Sequence, residues 1–138
     1  MTSTLLTFFA ATLLAATPVL AQPAQIQPAG GEYRGSLEDR GRPVVVILSL
    51  EAAKAPGDAG GRIRFQEPWV CGFELEYSGI RDKAAIYSFK GSGAGACRPY
   101  TQGYARVQSD GADLQLELVG ADRGASQKIR LQPAQKRD

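Results

Sequence analysis

The chain has 138 residues, a formal net charge of +2, two cysteines, no His and no Asn. Without His it lacks the commonest general base and metal ligand. Without Asn it has no N-glycosylation acceptor, and two cysteines are too few for a zinc site.

Residues 1–21 read as a secretory signal. The apolar stretch from Leu5 to Ala16 falls short of the roughly 20 residues that span a bilayer. Pro18 breaks it, and Val19-Leu20-Ala21 places small residues where a signal peptidase cuts. All 30 charged residues and all 16 glycines lie after residue 21. The expected mature chain, 22–138, is the size of one ordinary domain and is expected in the bacterial periplasm or outside the cell. Residues 22–30, QPAQIQPAG, form a flexible lead-in.

From Gly31 onward, short runs with period-2 alternation are separated by Gly, Pro and Asp signals at regular spacing, which is an all-β pattern. Strands are expected at 32–37, 44–50, 62–65, 72–77, 84–90, 104–108, 113–118 and 126–131, within one β domain over 31–132. Segment 44–50, VVVILSL, is apolar on both faces and is the most buried candidate. Segment 52–61 reads as a flexible hairpin loop and 133–138 as a polar, frayed tail. Asp110-Gly111 is a two-residue turn signal that pairs Val107 with Leu114 and Tyr104 with Glu117. A second register pairs Tyr77 with Ala85 and Leu75 with Tyr87. It sets Cys71 at the open end of that hairpin, where the run 91–96, GSGAGA, can return Cys97 to it. An even cysteine count in an exported chain points to one Cys71–Cys97 disulfide. Consecutive hairpins with one apolar row per strand favour a small antiparallel meander barrel of seven to eight strands over a two-sheet sandwich.

The layout of signal segment, small β domain and single disulfide is similar in kind to periplasmic lysozyme inhibitors and other small envelope β-barrels. The opening Gly31-Glu32-Tyr33-Arg34-Gly35-Ser36-Leu37 resembles the first strand of many small barrels. The resemblance is architectural and assigns no functional residue.

Candidate chemistry is sparse. Glu74 and Glu76 share a strand face about 7 Å apart, but glycoside hydrolysis needs its two carboxylates across a cleft in different environments, so both read as solvated. The glycine run 91–95 is followed by Cys97-Arg98-Pro99, without the helix or Lys that a phosphate loop requires. No hydroxyl nucleophile has a base partner. The chain therefore reads as non-enzymatic, with no cofactor and no metal. Interleaved charges argue against nucleic acid.

One segment resists a purely structural account. In 98–108, RPYTQGYARVQ, the residues Arg98, Tyr100, Gln102, Tyr104 and Arg106 fall on one side of an extended chain. Tyr and Arg are favoured at binding hot spots. The row reads either as a partner surface or as a cross-strand ladder, with Trp69 as a barrel plug or an exposed stacking residue. The expected function is a secreted binding or interaction module for a protein or an envelope polymer, and its sharper form is an inhibitor of an envelope-targeting enzyme. The alternative is a structural accessory subunit of an envelope assembly. A small-ligand barrel ranks below both, because Tyr33, Phe73, Tyr77, Tyr87 and Phe89 suffice to fill a small interior.

Overall fold

Alternating apolar residues cannot bury one face as isolated strands, and closing the sheet on itself both buries that face and removes the edges. The computed structural model, which describes residues 15–18, 27–122 and 124–135, shows that solution. Eight antiparallel strands form a closed barrel in strict chain order. They are β1 (Gly31–Asp39), β2 (Arg42–Leu50), β3 (Ala59–Phe65), β4 (Cys71–Arg81), β5 (Ala84–Lys90), β6 (Tyr104–Asp110), β7 (Asp113–Val119) and β8 (Ser126–Pro133). A short 3-10 helix, Gly95–Tyr100, lies between β5 and β6. The barrel closes where Tyr33, Arg34 and Gly35 of β1 meet Pro133, Gln132 and Leu131 of β8. A sandwich would leave those strands unpaired.

The inward row is the one the alternation predicts. Val44, Val46, Leu48 and Ile63 are fully buried, as are Tyr87, Ala105, Val107, Leu118 and Leu131. Phe73 stacks on Phe89 with ring centroids 4.6 Å apart, and Tyr77 tilts against Tyr87 at 5.6 Å. Side chains fill the interior. On the outer face of β2, Ile47 is covered while Val45 is exposed, so burial on both faces of that strand is only partial.

Both predicted registers shift by two residues. Val107 pairs with Leu116 and Arg106 with Glu117, and the turn is Gly111-Ala112, not Asp110-Gly111. Gly111 has φ +61°, and Ala112 is not among the positive-φ residues. A turn with glycine at its first central position asks for positive φ only there, which spares Asp110 a left-handed backbone. In the other hairpin Tyr77 pairs with Tyr87 and Leu75 with Phe89. Ser78 is an extra residue between the Tyr77 and Gly79 pairs, a bulge that swings Ile80 back against the core. β4 thereby extends to a tight Asp82-Lys83 turn, where both residues have positive φ. A two-residue shift keeps every side chain on its face.

A meander puts alternate turns at opposite ends of the barrel. The end holding the β1–β2, β3–β4, β5–β6 and β7–β8 connections is the disulfide end. At the other, the strap end, the chain enters β1. Parts of two segments read as flexible pack against the barrel there. Pro28 is buried and Gln27 half-buried, and the Tyr33 hydroxyl donates to the Ala29 carbonyl at 2.9 Å, so 27–30 straps the barrel mouth. Segment 52–61 is also fixed. Asp58 Oδ2 accepts the Lys54 and Ala55 amides at 2.9 and 3.0 Å, Gly57 N–H donates to the Tyr77 carbonyl at 2.8 Å, and Ala53 is buried. Gly61, at φ +113°, lies so close to Ser49 that any Cβ would collide with its carbonyl oxygen. The expected signal segment, 1–21, lies outside the described residues apart from 15–18, as do 22–26 of the expected lead-in and 136–138 of the tail.

Candidate functional site

The turn joining β3 to β4 is built from both directions. Its first residue is held because Gln66 N–H donates to the Val45 carbonyl at 2.9 Å. The Gln66 carbonyl then accepts from Trp69 at 3.0 Å and from Val70 at 3.3 Å, and the Glu67-Pro68 peptide is cis. The Trp69 ring packs 5.0 Å from Phe65 and 6.3 Å from Tyr100, and its indole N–H donates to Asp39 Oδ2 at 2.9 Å. Cys71 is bonded to Cys97 with Cα atoms 6.1 Å apart, and Cys97 sits fully buried in the 3-10 helix. These contacts plug the disulfide end.

Between the two inward anchors, Trp69 and Cys71, the chain turns Val70 outward. Val70 is 70% exposed and adopts φ +47°. A β-branched residue in the left-handed region is strained by about 1–2 kcal/mol. Among the described residues, Val45 and Val70 are the exposed large hydrophobics, and both line one shallow groove with Ile47, Arg64 and Glu67. A second depression that Val70 also borders is lined by Arg42, Pro43, Glu67 and Pro68. Val70 is therefore a projecting ridge shared by two hollows, each also bordered by an arginine.

The predicted Tyr/Arg row is not continuous. The 3-10 helix breaks the extended run. Tyr100 is 5% exposed and belongs to the core cluster, and burial raises its hydroxyl above the usual 10.0. Trp69 belongs to the same plug. Arg98 and Gln102 are exposed, while Tyr104 and Arg106 are half-buried. Arg106 pairs with Glu117 at 3.2 Å as a cross-strand ladder would, and Tyr104 stands opposite Val119. The six residues do not form one surface. Sequence reasoning missed Val70, although its parity was readable: with Trp69 and Cys71 both turned inward, the residue between them must point out.

The remaining candidates resolve into structure. Glu74 lies 3.8 Å from Arg62 and Glu76 3.1 Å from Lys90, all on the solvated wall. In the glycine run, Gly93 N–H donates to Thr101 Oγ1 at 2.8 Å, which positions the chain for the helix that carries Cys97. At the strap end the Gln27 amide sits beside the Tyr87 hydroxyl, yet neither meets hydrogen-bond geometry, and both atoms are buried. Burial raises the Tyr87 hydroxyl above 10.0, against the opposing effect of Gln27. Among the described residues, no group of three or more His, Cys, Asp or Glu could hold a metal, and no helix is long and apolar enough to cross a membrane. Compared with known protein families, curated proteins and solved structures, the chain has no match in any of the three.

Proposed function

We propose that the protein is an exported, non-enzymatic binding module that holds a protein partner outside the cytoplasm, using the 66–70 turn and the adjoining outer wall of β2. The observation that carries this reading is Val70. It is a large apolar residue, 70% exposed and held at φ +47°, on a turn immobilised by a tryptophan hydrogen bond and a disulfide. A strained backbone that persists is over-determined by its surroundings, and such strain concentrates at ligand clamps and other functional sites. A rigid turn also loses little conformational entropy on association, so more of its contact energy remains as affinity.

The narrower reading is inhibition of an envelope-targeting enzyme. What favours it is the form of the ridge, a single apolar side chain projecting from a locked turn, which suits insertion into a concave site better than contact with a flat one. The test is photo-cross-linking in the producing cell. A photoreactive residue replaces Val70, and a control replaces Lys83 at the strap end. Adducts of defined mass from position 70 and none from position 83 are expected. If neither position gives an adduct, the binding-module reading is wrong.

A further inference from the structure

The two hollows beside Val70 carry information about the partner. We infer that they accept an extended protein segment in which an apolar side chain is flanked on both sides by carboxylates. This deepens the proposed function and rests on it.

The floor of the site is apolar, with Val45 and Ile47 on β2 and Val70 as the ridge. An arginine borders each hollow, Arg64 in the first and Arg42 in the second. Both are exposed, and neither is within ion-pair distance of a carboxylate among the described residues. Arg34, Arg62, Arg106 and Arg130, on the outside of the barrel, are each engaged by an acidic neighbour. Arg40, Arg81 and Arg98, away from the two hollows, share the unpaired state of Arg42 and Arg64 among the described residues. Asp39, the carboxylate opposite Arg42 in the β1–β2 ladder, is taken by the Trp69 indole. Glu67 borders both hollows and leaves the site with one net positive charge. Guanidinium groups bind carboxylates in paired, charge-assisted hydrogen bonds, so two free ones beside an apolar floor select acids at both ends of an apolar contact.

Spacing follows from the strands. Arg64 on the outer wall stands opposite Ile47, and Arg42 is at the rim where β2 begins, on the parity of Val44. The Cα positions of the two arginines are therefore separated along β2 by the rise from residue 42 to residue 47, roughly 17 Å. An extended segment of about five residues covers that distance. The segment docks through its side chains, because β2 is paired with β1 along its length and with β3 from Val46 to Leu50, and its Val45 carbonyl is taken by the Gln66 amide. The pattern sought is therefore acid, apolar and acid within about five residues.

The test uses a random peptide library displayed on phage, panned against the folded, disulfide-bonded protein. Selected peptides are then titrated against the wild type, Val70→Asp, the double variant Arg42→Gln/Arg64→Gln, and Tyr104→Ala. Asp is better suited than Val to the left-handed backbone, and residue 70 is exposed, so Val70→Asp keeps the fold; a melt confirms it. Peptides with the acid–apolar–acid pattern are expected. Their affinity should fall about tenfold or more in Val70→Asp and in the arginine double variant, and should stay unchanged in Tyr104→Ala. Raising salt should weaken binding to the wild type and much less to the double variant. Selected peptides without acids, or peptides that bind Val70→Asp as well as the wild type, would overturn the inference. If position 70 still cross-links a partner in the cell, that result leaves the binding-module reading standing and removes only its proposed chemistry.

Discussion

The two ends of this barrel are closed by different means. At the disulfide end a covalent bond, a 3-10 helix that buries Cys97 and Tyr100, and the Phe65–Trp69–Tyr100 cluster make the plug. At the strap end four residues that precede β1 lie across the mouth, held by the Tyr33 hydroxyl and the burial of Pro28. Two buried polar atoms, Gln27 Nε2 and the Tyr87 hydroxyl, have no hydrogen-bond partner there among the described residues. The stronger closure is the one that bears the strained, exposed Val70. Asp82 and Lys83 hold positive φ at the strap end as well, inside a tight turn, but Val70 is the β-branched residue among these positions and the one anchored beside a covalent bond.

Breaking the disulfide gives the largest effect. Replacing Cys71 and Cys97 with Ser frees a loop spanning a 26-residue separation and is expected to cost about 3.5 kcal/mol, read by urea denaturation. Hydrogen exchange should show the loss concentrated in 66–71 and 95–100. A cost below about 1 kcal/mol would mean that the aromatic cluster alone closes that end.

Removing the strap should cost less. A chain beginning at Gly31 loses the Tyr33–Ala29 hydrogen bond and the burial of Pro28, together about 1 kcal/mol. If this truncation proves as damaging as loss of the disulfide, the two ends are equivalent in strength and the comparison fails.

Val70→Asn carries the opposite sign. Asn accepts the left-handed backbone more readily than Val, so the variant is expected to be more stable by about 1 kcal/mol while binding its partner more weakly. A melting temperature at or below that of the wild type would show that the φ of Val70 stores no strain.

The smallest effect appears at high pH and involves one tyrosine from each end. Burial raises the hydroxyls of Tyr87 and Tyr100 above 10.0, so the fold favours their neutral forms. That contribution is full below the unfolded value and is lost as pH rises through the raised folded one. In a tyrosinate absorbance titration, two of the five tyrosines should ionise last, together with unfolding. Tyr87→Phe should remove one late step without loss of stability, because the deleted hydroxyl has no partner among the described residues. Tyr100→Phe should remove the other.

Much of the architecture was legible because burial leaves a period-2 trace. Most inward strand residues from Tyr33 to Leu131 followed from alternation, whereas Ala53, Ile80 and Tyr100 join the core through a loop, a bulge and a helix. The cysteine pair followed from an even count and a returning loop. Register did not follow, for a definite reason. Alternation constrains pairing only to an even shift, so Tyr77 opposite Ala85 and Tyr77 opposite Tyr87 satisfy the hydrophobic pattern equally. The choice fell to the Ser78 bulge and to the Asp82-Lys83 turn. The candidate site was less legible than the fold. Arg98 to Arg106 looked like one displayed row only while the chain was assumed extended, and the 3-10 helix folds Tyr100 into the plug.

The sequence by itself determined an all-β chain, the inward face of every strand except β2, the Cys71–Cys97 pair and the absence of histidine chemistry. These are local properties of composition, spacing and parity. Tertiary structure alone decided that β1 closes on β8, that 27–30 covers a mouth, and that Val70 borders both the hollow of Val45, Ile47 and Arg64 and the hollow of Arg42. Each of these joins residues from separate strands or loops, and only barrel closure, by fixing how the strands stand against one another, brings them into contact.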